Sequence, residues 1–402
     1  MSGPLAGIKI LDFSTLMPGP VATMMLADLG ADVLKVEAPN RLDLMRVGPP
    51  HDQGVSAGHM AVNRNKRSIA LNLKIPEAVQ VLRKLAKTFD VVLEQFRPGV
   101  MKRLGLDYEI LKKENERLIY CSLTGYGQDG PYRDRAGHDI NYLAISGMLS
   151  YSGRASQGPV PQGFLLADVG AGSYNAVVSI LAALIHRDRS GEGQYLDVAM
   201  TDGSIAWATF MATRTLVGGK DPAYESDFLN GGSYYDCYRT LDGRYMSVGS
   251  IEPQFFGELC RGIGREDLIA KRGWTLDTDS VMKETKKEIA AIFALKTQTE
   301  WTEIFKGLDA CVEPVLKVSE MVEHPQVKTR KMITEVKKPD GTFQKQVNSP
   351  FKFTKTPPEM RRTGPGLGEH TEEVLRNIGY GPEEMEALRS KGIFGEPPGP
   401  GL

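Results

Sequence analysis

The sequence predicts an α/β protein: a Rossmann-like parallel sheet covered by helices, with a second, smaller α+β domain. Three observations carry this. Short apolar runs alternate with amphipathic stretches through the first part of the chain, as in successive βαβ units. Around Leu216–Asn230 the alternation gives way to the Gly-rich, polar "LVGGKDPAYESDFLNGG", a linker composition. At 402 residues the chain also exceeds one ordinary hydrophobic core.

The elements follow in order. "IKILDFS" at Ile8–Ser14 is a short apolar run, as in a buried strand. "MPGPVATMMLADLGADVLKVEAP" then supplies a helix, with Pro20 near its start and Gly30 at its end, and a second strand stopped by Pro39. "KRSIALNL" is a strand, "PEAVQVLRKLAKTF" a helix, "DVVLEQF" a strand, "GVMKRLGL" and "DYEILKKEN" helices, and "LIYCSLTG" a strand. The stretch after the first strand reads "STLMPGPVA" rather than GxGxxG, and no Walker A sequence occurs. A doubly wound sheet is therefore expected without an evident NAD or ATP site. Gly170–His186, "GAGSYNAVVSILAALIH", is a strongly apolar core helix, and "SGEGQYLDVAM" a turn and strand. "YYDCYRTLDGRYMSVGS" predicts a hairpin turning at Asp242-Gly243. With the helices "VMKETKKEIAAIFAL" and "QTEWTEIFKGL" it places the small domain over about Gly231–Glu323. "GEHTEEVLRNIGY" and "GPEEMEALRSKGI" close the chain with two more helical segments.

Composition narrows the function. Hydrophobic residues make up 41% and charged residues 25% of the chain, and the net charge is −1. No basic excess speaks for nucleic acid or an anionic membrane. Cys121, Cys237, Cys260 and Cys311 form no CxxC or Cys/His pair, which argues against structural zinc and a disulfide framework and fits a reducing compartment. No apolar run approaches the roughly 20 residues of a membrane span. "MSGPLAGIKILDFS" lacks signal-peptide features and "EPPGPGL" carries no peroxisomal address, so a cytoplasmic location is expected.

Four groups of residues carry candidate chemistry. His138, one of six histidines, ends the glycine-rich loop "GYGQDGPYRDRAGHDINY" after an apolar strand. Loops at the carboxyl ends of sheet strands bind ligands in α/β proteins, and imidazole, with an ordinary pKa of about 6.5, exchanges protons near neutrality. Asp168 in "LLADVGAGS" stands before Gly170, Gly172 and the long apolar helix. It reads equally as an N-cap and as a functional carboxylate. The helix start and its glycines favour enolate charge and close approach of a ligand. Glu252 in "SVGSIEPQFFGEL" precedes a proline at a helix start, the position of an ordinary cap. Arg97 in "EQFRPGV", with Arg64, Lys66 and Arg67 in "NRNKR", reads either as positive charge for phosphates or as a solvated basic loop.

These motifs together resemble the family III CoA-transferases, and within them the α-methylacyl-CoA racemase branch. The family-wide elements are the opening βαβ stretch, "RPGVMKRLGLDYE", "TGYGQDGPY", the aspartate of "LLADVGAGS" and "SGEGQYLDVAMTDG". The racemase-like ones are "AGHDINYLAISGML", "NGGSYYDCYRTLDGRYMSVGSIEPQFF" and "DACVEPVL". The resemblance implies that His138 and Asp168 are the catalytic pair and that Glu252 and Tyr235 support His138. Arg64, Lys66, Arg97, Asp139 and Tyr142 are the candidate contacts to the CoA of such a substrate. Some racemases have an arginine where this chain has Ala38, so Arg41, Arg46 or the "NRNKR" loop is expected to take over contacts to the CoA nucleotide. It implies an interlocked homodimer with a large CoA-binding domain from 1–215 and 336–402, a linker over 216–230, and a small domain with its return linker over 231–335. The site would lie between the large domain of one chain and the small domain of the other.

The implied reaction interconverts (R)- and (S)-2-methylacyl-CoA thioesters. It needs a base on each face of C2 and stabilisation of the enolate oxygen. Gly170 and Gly172, and the main chain around His138–Asp139, are the candidate oxyanion donors. No metal, flavin or nicotinamide is called for; CoA enters as part of the substrate. The transferase branch uses the aspartate at the position of Asp168 as a nucleophile that forms an acyl anhydride, and generally lacks the histidine of "GHDINY". CoA transfer is thus the alternative reaction, and CoA binding without catalysis a third.

Overall fold

The computed structural model describes residues 3–272 and 280–395. The closing "EPPGPGL", read above for a targeting address, lies outside them. The described residues divide into two compact units, one within Met1–Tyr142, Phe164–Ala206 and Pro325–Leu402, the other within Leu143–Gly163 and Trp207–His324.

The first unit is built on six parallel strands: β1 (Lys9–Asp12), β2 (Asp32–Glu37), β3 (Arg67–Ala70), β4 (Val91–Glu94), β5 (Ile119–Thr124) and β6 (Tyr195–Ala199). Their spatial order is β6-β5-β4-β1-β2-β3. The chain thus winds outward from β1 in one direction and, after a crossover, from β4 in the other, as in a Rossmann fold. The strands read as near-continuous apolar runs because both faces are covered, and every residue of β4 and β5 is buried. Helix α1 (Pro18–Asp28) is buried along nearly its whole length. Helix α2 (Pro76–Ala86) turns Ala78, Val81, Leu82, Leu85 and Ala86 inward, the i, i+3, i+4, i+7, i+8 stripe of an amphipathic helix. That stripe shares a core with Val374, Leu375 and Leu388 from the closing helical segments, so both ends of the chain build this unit.

The phosphate-binding turn of a dinucleotide site is replaced by prolines. Pro18 opens α1 and Pro20 follows in its first turn, and neither has an N–H to offer. The one intervening donor, the Gly19 N–H, is taken by Gln95 Oε1 at 2.9 Å.

The helix expected from Gly170 begins earlier. It is π-wound over Leu166–Tyr174 and continues as α4 (Asn175–Ser190), after α3 (Asp139–Ile145). The two parts make 25 residues, long and apolar enough by length and composition to cross a bilayer, contrary to the expectation of no such stretch. Half of its apolar window is buried, and it packs on α1, β5 and β6 as a core helix.

The second unit holds an antiparallel sheet in the order β7 (Asp236–Arg239), β8 (Tyr245–Val248), β9 (Val312–Pro314). The hairpin turns at Asp242-Gly243 with Gly243 at φ 76°, a conformation glycine adopts without strain. Phe256, Phe293, Trp301 and Phe305 fill the core behind it. The unit differs from the expected small domain by taking in 143–163 and starting at 207. The 216–230 stretch belongs to it rather than joining two bodies: Asp227 is buried, pairs with Arg214, and caps the turn at Phe228, while Asn230 Nδ2 donates to Tyr151 O at 3.2 Å.

Candidate active site

In a doubly wound sheet the ligand crevice opens at the carboxyl ends of the strands, where the winding reverses. Here that point lies between β1 and β4. A cleft of about 410 Å³ sits there, walled by Leu16 and Pro18 after β1, by Gln95–Pro98 after β4, and by the loop after β5. His138 and Asp168 both line it.

The loop after β5 is shaped by aromatic packing. Tyr126 meets Tyr142 edge-on with ring centroids 5.1 Å apart. Gly125 is required beneath them, because a Cβ there would stand 2.4 Å from the Tyr142 ring. Tyr142, the expected CoA contact, is largely buried and lines the cleft, and its hydroxyl donates to Gly137 O at 2.6 Å. His138 emerges exposed where α3 opens. Its N–H donates to Asn141 Oδ1 at 3.0 Å, and Asn141 N–H donates back to His138 O at 2.8 Å.

Asp168 lies in the first turn of the π-wound helix and is not its cap; Leu165 holds that place, without a side-chain cap bond. π-helical turns are rare and concentrate at functional sites. Burial, then the neighbouring Asp139 carboxylate, raise the Asp168 carboxyl to about 6 against the opposing influence of His138. A carboxyl in that range can take or give a proton near neutrality. Gly170 and Gly172 do not serve as open-ended donors. Both are buried within the helix, where N–H groups from Gly170 onward meet intrahelical acceptors.

The basic residues divide. Arg97 is exposed on the cleft wall, beside Arg133 and Arg135, which the sequence reading passed over. Arg135 stacks 4.1 Å from the Tyr132 ring. Arg64 and Lys66 are a correction: both are buried and spent on structure. Arg64 clasps the buried Asp28 (2.6 Å) and Val347 O (2.8 Å). Lys66 Nζ reaches Asp12 (3.1 Å), Pro20 O (3.0 Å) and Asn63 Oδ1 (2.9 Å), and burial lowers its ammonium to about 8. Both charges are taken up by these buried partners. Arg46 is likewise held in a two-pronged pair by Glu37. Asp139 also turns to structure, its Oδ1 accepting the Asp168 N–H at 2.9 Å. A further buried carboxyl, Glu94, is raised to about 7 by burial and accepts the Phe96 N–H at 2.8 Å, bracing the loop that carries Arg97.

Tyr235 and Glu252 belong to the second unit. Glu252 occupies the cap position before the helix at Pro253–Gly262, yet its carboxylate makes no cap bond and is exposed. Its charge reaches the Cys311 thiol. Tyr235 and Cys311 line a second cleft of about 520 Å³ with Cys237, Ser247 and Gly249. All four cysteines are free.

The sequence pattern of CoA-transferase family III matches residues 5–371. The α-methylacyl-CoA racemase of Homo sapiens is 41% identical over 397 residues, spanning 97% of each chain. The succinate–glutarate CoA-transferase of Agrobacterium fabrum is 36% identical, over 93% of this chain and 96% of its own. A CaiB/BaiF family protein from Brucella suis has the same fold, with a TM-score of 0.81 at 30% identity over 94% of this chain and all of its own. With the pattern and these relatives running over nearly its whole length, the chain belongs to CoA-transferase family III.

Proposed function

We propose that this enzyme is an α-methylacyl-CoA racemase that inverts C2 of a 2-methylacyl-CoA by two-base proton transfer. The observation that carries the reading is that His138 and Asp168 line one cleft, with the Asp168 carboxyl held near 6. One group breaks the C2–H bond and takes the proton, and the electron pair moves onto the thioester oxygen. The other group returns a proton to the opposite face of the planar enolate, and the two exchange protonation states at each turnover. The first-turn main-chain N–H of Asp139, where α3 opens, is the donor we assign to the enolate oxygen; the His138 and Asn141 N–H groups are already taken. Arg97 with Arg133 and Arg135 supplies positive charge for the CoA phosphates. The chemistry asks for no cofactor beyond the CoA of the substrate. We further propose a cytoplasmic homodimer in which the partner's Glu252 and the partner's Tyr235 approach His138; the unused Glu252 carboxylate supports this.

The second reading is CoA transfer through an Asp168 acyl anhydride. It is favoured by the Asp168 carboxylate oxygens, which accept no hydrogen bond among the described residues, and by the transferase relative. Incubation with one enantiomer of a 2-methylacyl-CoA in deuterated water, with no second acid present, separates the two. Deuterium at C2 with loss of optical purity is expected. No exchange there, with CoA movement to an acid added in a parallel incubation and hydroxylamine trapping at Asp168, would replace racemisation with transfer.

A further inference from the structure

In "GHD" the two neighbours play different parts. His138 lines the cleft, whereas Asp139 does not. Asp139 Oδ1 instead accepts the main-chain N–H of Asp168 at 2.9 Å, across 29 positions of sequence. This bond joins the opening of α3 to the first turn of the π-wound helix, the two segments that present the candidate proton-transfer groups. We propose that Asp139 is a positioning residue: its carboxylate clamps the Asp168 main chain to the His138 segment and so fixes the separation and electrostatics of the pair. The inference rests on the two-base reading above.

Helix geometry explains why the clamp forms. N–H groups in a first turn lack intrahelical acceptors, so the Asp168 N–H needs a partner from outside, and a carboxylate is a strong one. Both sides of the clamp are braced. Asn141 holds the His138 main chain in both directions. Ser173 Oγ, buried in the π-wound helix, donates to Pro18 O at 2.6 Å and ties that helix to α1.

The clamp also brings a negative charge to Asp168. After burial, Asp139 is the next influence raising its carboxyl, and His138 opposes it. Tyr142, Arg97, Arg133 and Arg135 share the cleft. Of the elements packed on the π-wound helix, α1 carries Asp28, already paired with Arg64, and β6 carries Asp197, which accepts the Gln128 N–H. The last turn of α4 carries Arg187, which is paired with Asp90, along with His186, Asp188 and Arg189. Asp139 is the acidic side chain bonded to the Asp168 main chain.

Two variants separate position from charge. Asp139→Asn keeps an oxygen that can accept the N–H and removes the charge; Asp139→Ala removes both. Amide hydrogen exchange at Asp168, read by mass spectrometry, reports the clamp without reference to activity. Asp139→Ala should speed that amide at least about tenfold and lower kcat about 10- to 100-fold, with KM for the acyl-CoA within about twofold. Asp139→Asn should keep the amide protected and kcat within a few-fold, and shift the Asp168 limb of the pH profile down by about half a pH unit or more. An unchanged Asp168 amide in Asp139→Ala, an unshifted limb in Asp139→Asn, or a raised KM with unchanged kcat overturns the proposal. Should Asp139→Ala fail to fold, the limb and amide of Asp139→Asn decide it. A wild-type enzyme without C2 exchange would defeat the two-base reading, and the amide measurement would still decide the clamp.

Discussion

Asp168→Asn should abolish racemisation and stabilise the protein at the same time. Burial and the Asp139 carboxylate raise the Asp168 carboxyl from its ordinary 3.8 to about 6. The ionised form is therefore less at home in the folded chain than in the unfolded one. The difference corresponds to about 3 kcal/mol at pH 7. Asp168 is only partly buried, so solvent screening reduces this to roughly 1–2 kcal/mol. The sign follows from linkage: the folded state binds the extra proton between about pH 3.8 and 6, so wild-type stability falls as pH rises through that window and then levels off. Asparagine keeps the shape and the N–H bond to Asp139 but carries no charge to disfavour. Urea midpoints of wild type and Asp168→Asn, compared at pH 7.5 and below pH 4, measure the difference. The variant should be more stable by roughly 1–2 kcal/mol at the higher pH and indistinguishable at the lower. A variant less stable at pH 7.5, or a difference that does not change with pH, would refute the environment assigned to Asp168.

Three further outcomes follow from the surrounding side chains. Lys66→Met leaves the buried Asp12 with weaker compensation and should cost about 3 kcal/mol in urea titration, the low end for a broken buried pair because Lys35 stays close; its CoA affinity by calorimetry should stay within about twofold. Arg97→Met should raise KM for acyl-CoA about 10- to 100-fold, the loss of one charge-assisted phosphate contact, with kcat little changed. Gly125→Ala places a Cβ 2.4 Å from the Tyr142 ring, and thermal unfolding should show a loss of about 1–3 kcal/mol together with reduced activity.

Much of the fold was legible because strand burial on two faces writes itself as apolar runs; "VVLE" and "IYCSLT" are buried throughout. The missing GxGxxG was legible too, and the structure supplies its reason in Pro18 and Pro20. The "NRNKR" stretch misled because lysine and arginine are ordinarily exposed. Its partners were visible as acids inside apolar stretches, Asp12 in "ILDFS" and Asp28 in "MMLADLG", but nothing local tells that they meet Lys66 and Arg64. The same holds for Asp139: a bond from a side chain to a main-chain N–H 29 residues away leaves no trace in spacing or composition. The two readings of Asp168 resolved against the cap because the helix begins earlier than its glycines suggest. Glu252 has the cap position without the cap bond, and its carboxylate accepts no hydrogen bond among the described residues, which is why it is of interest.

The two-base scheme is tested most directly by removing one base at a time and following each enantiomer separately in deuterated water. His138→Asn and Asp168→Asn should each lose racemisation, and each should retain C2 exchange with only one enantiomer, with configuration kept and opposite enantiomers for the two variants. Exchange by either variant with both enantiomers, or racemisation surviving in His138→Asn, would contradict a proton relay between His138 and Asp168.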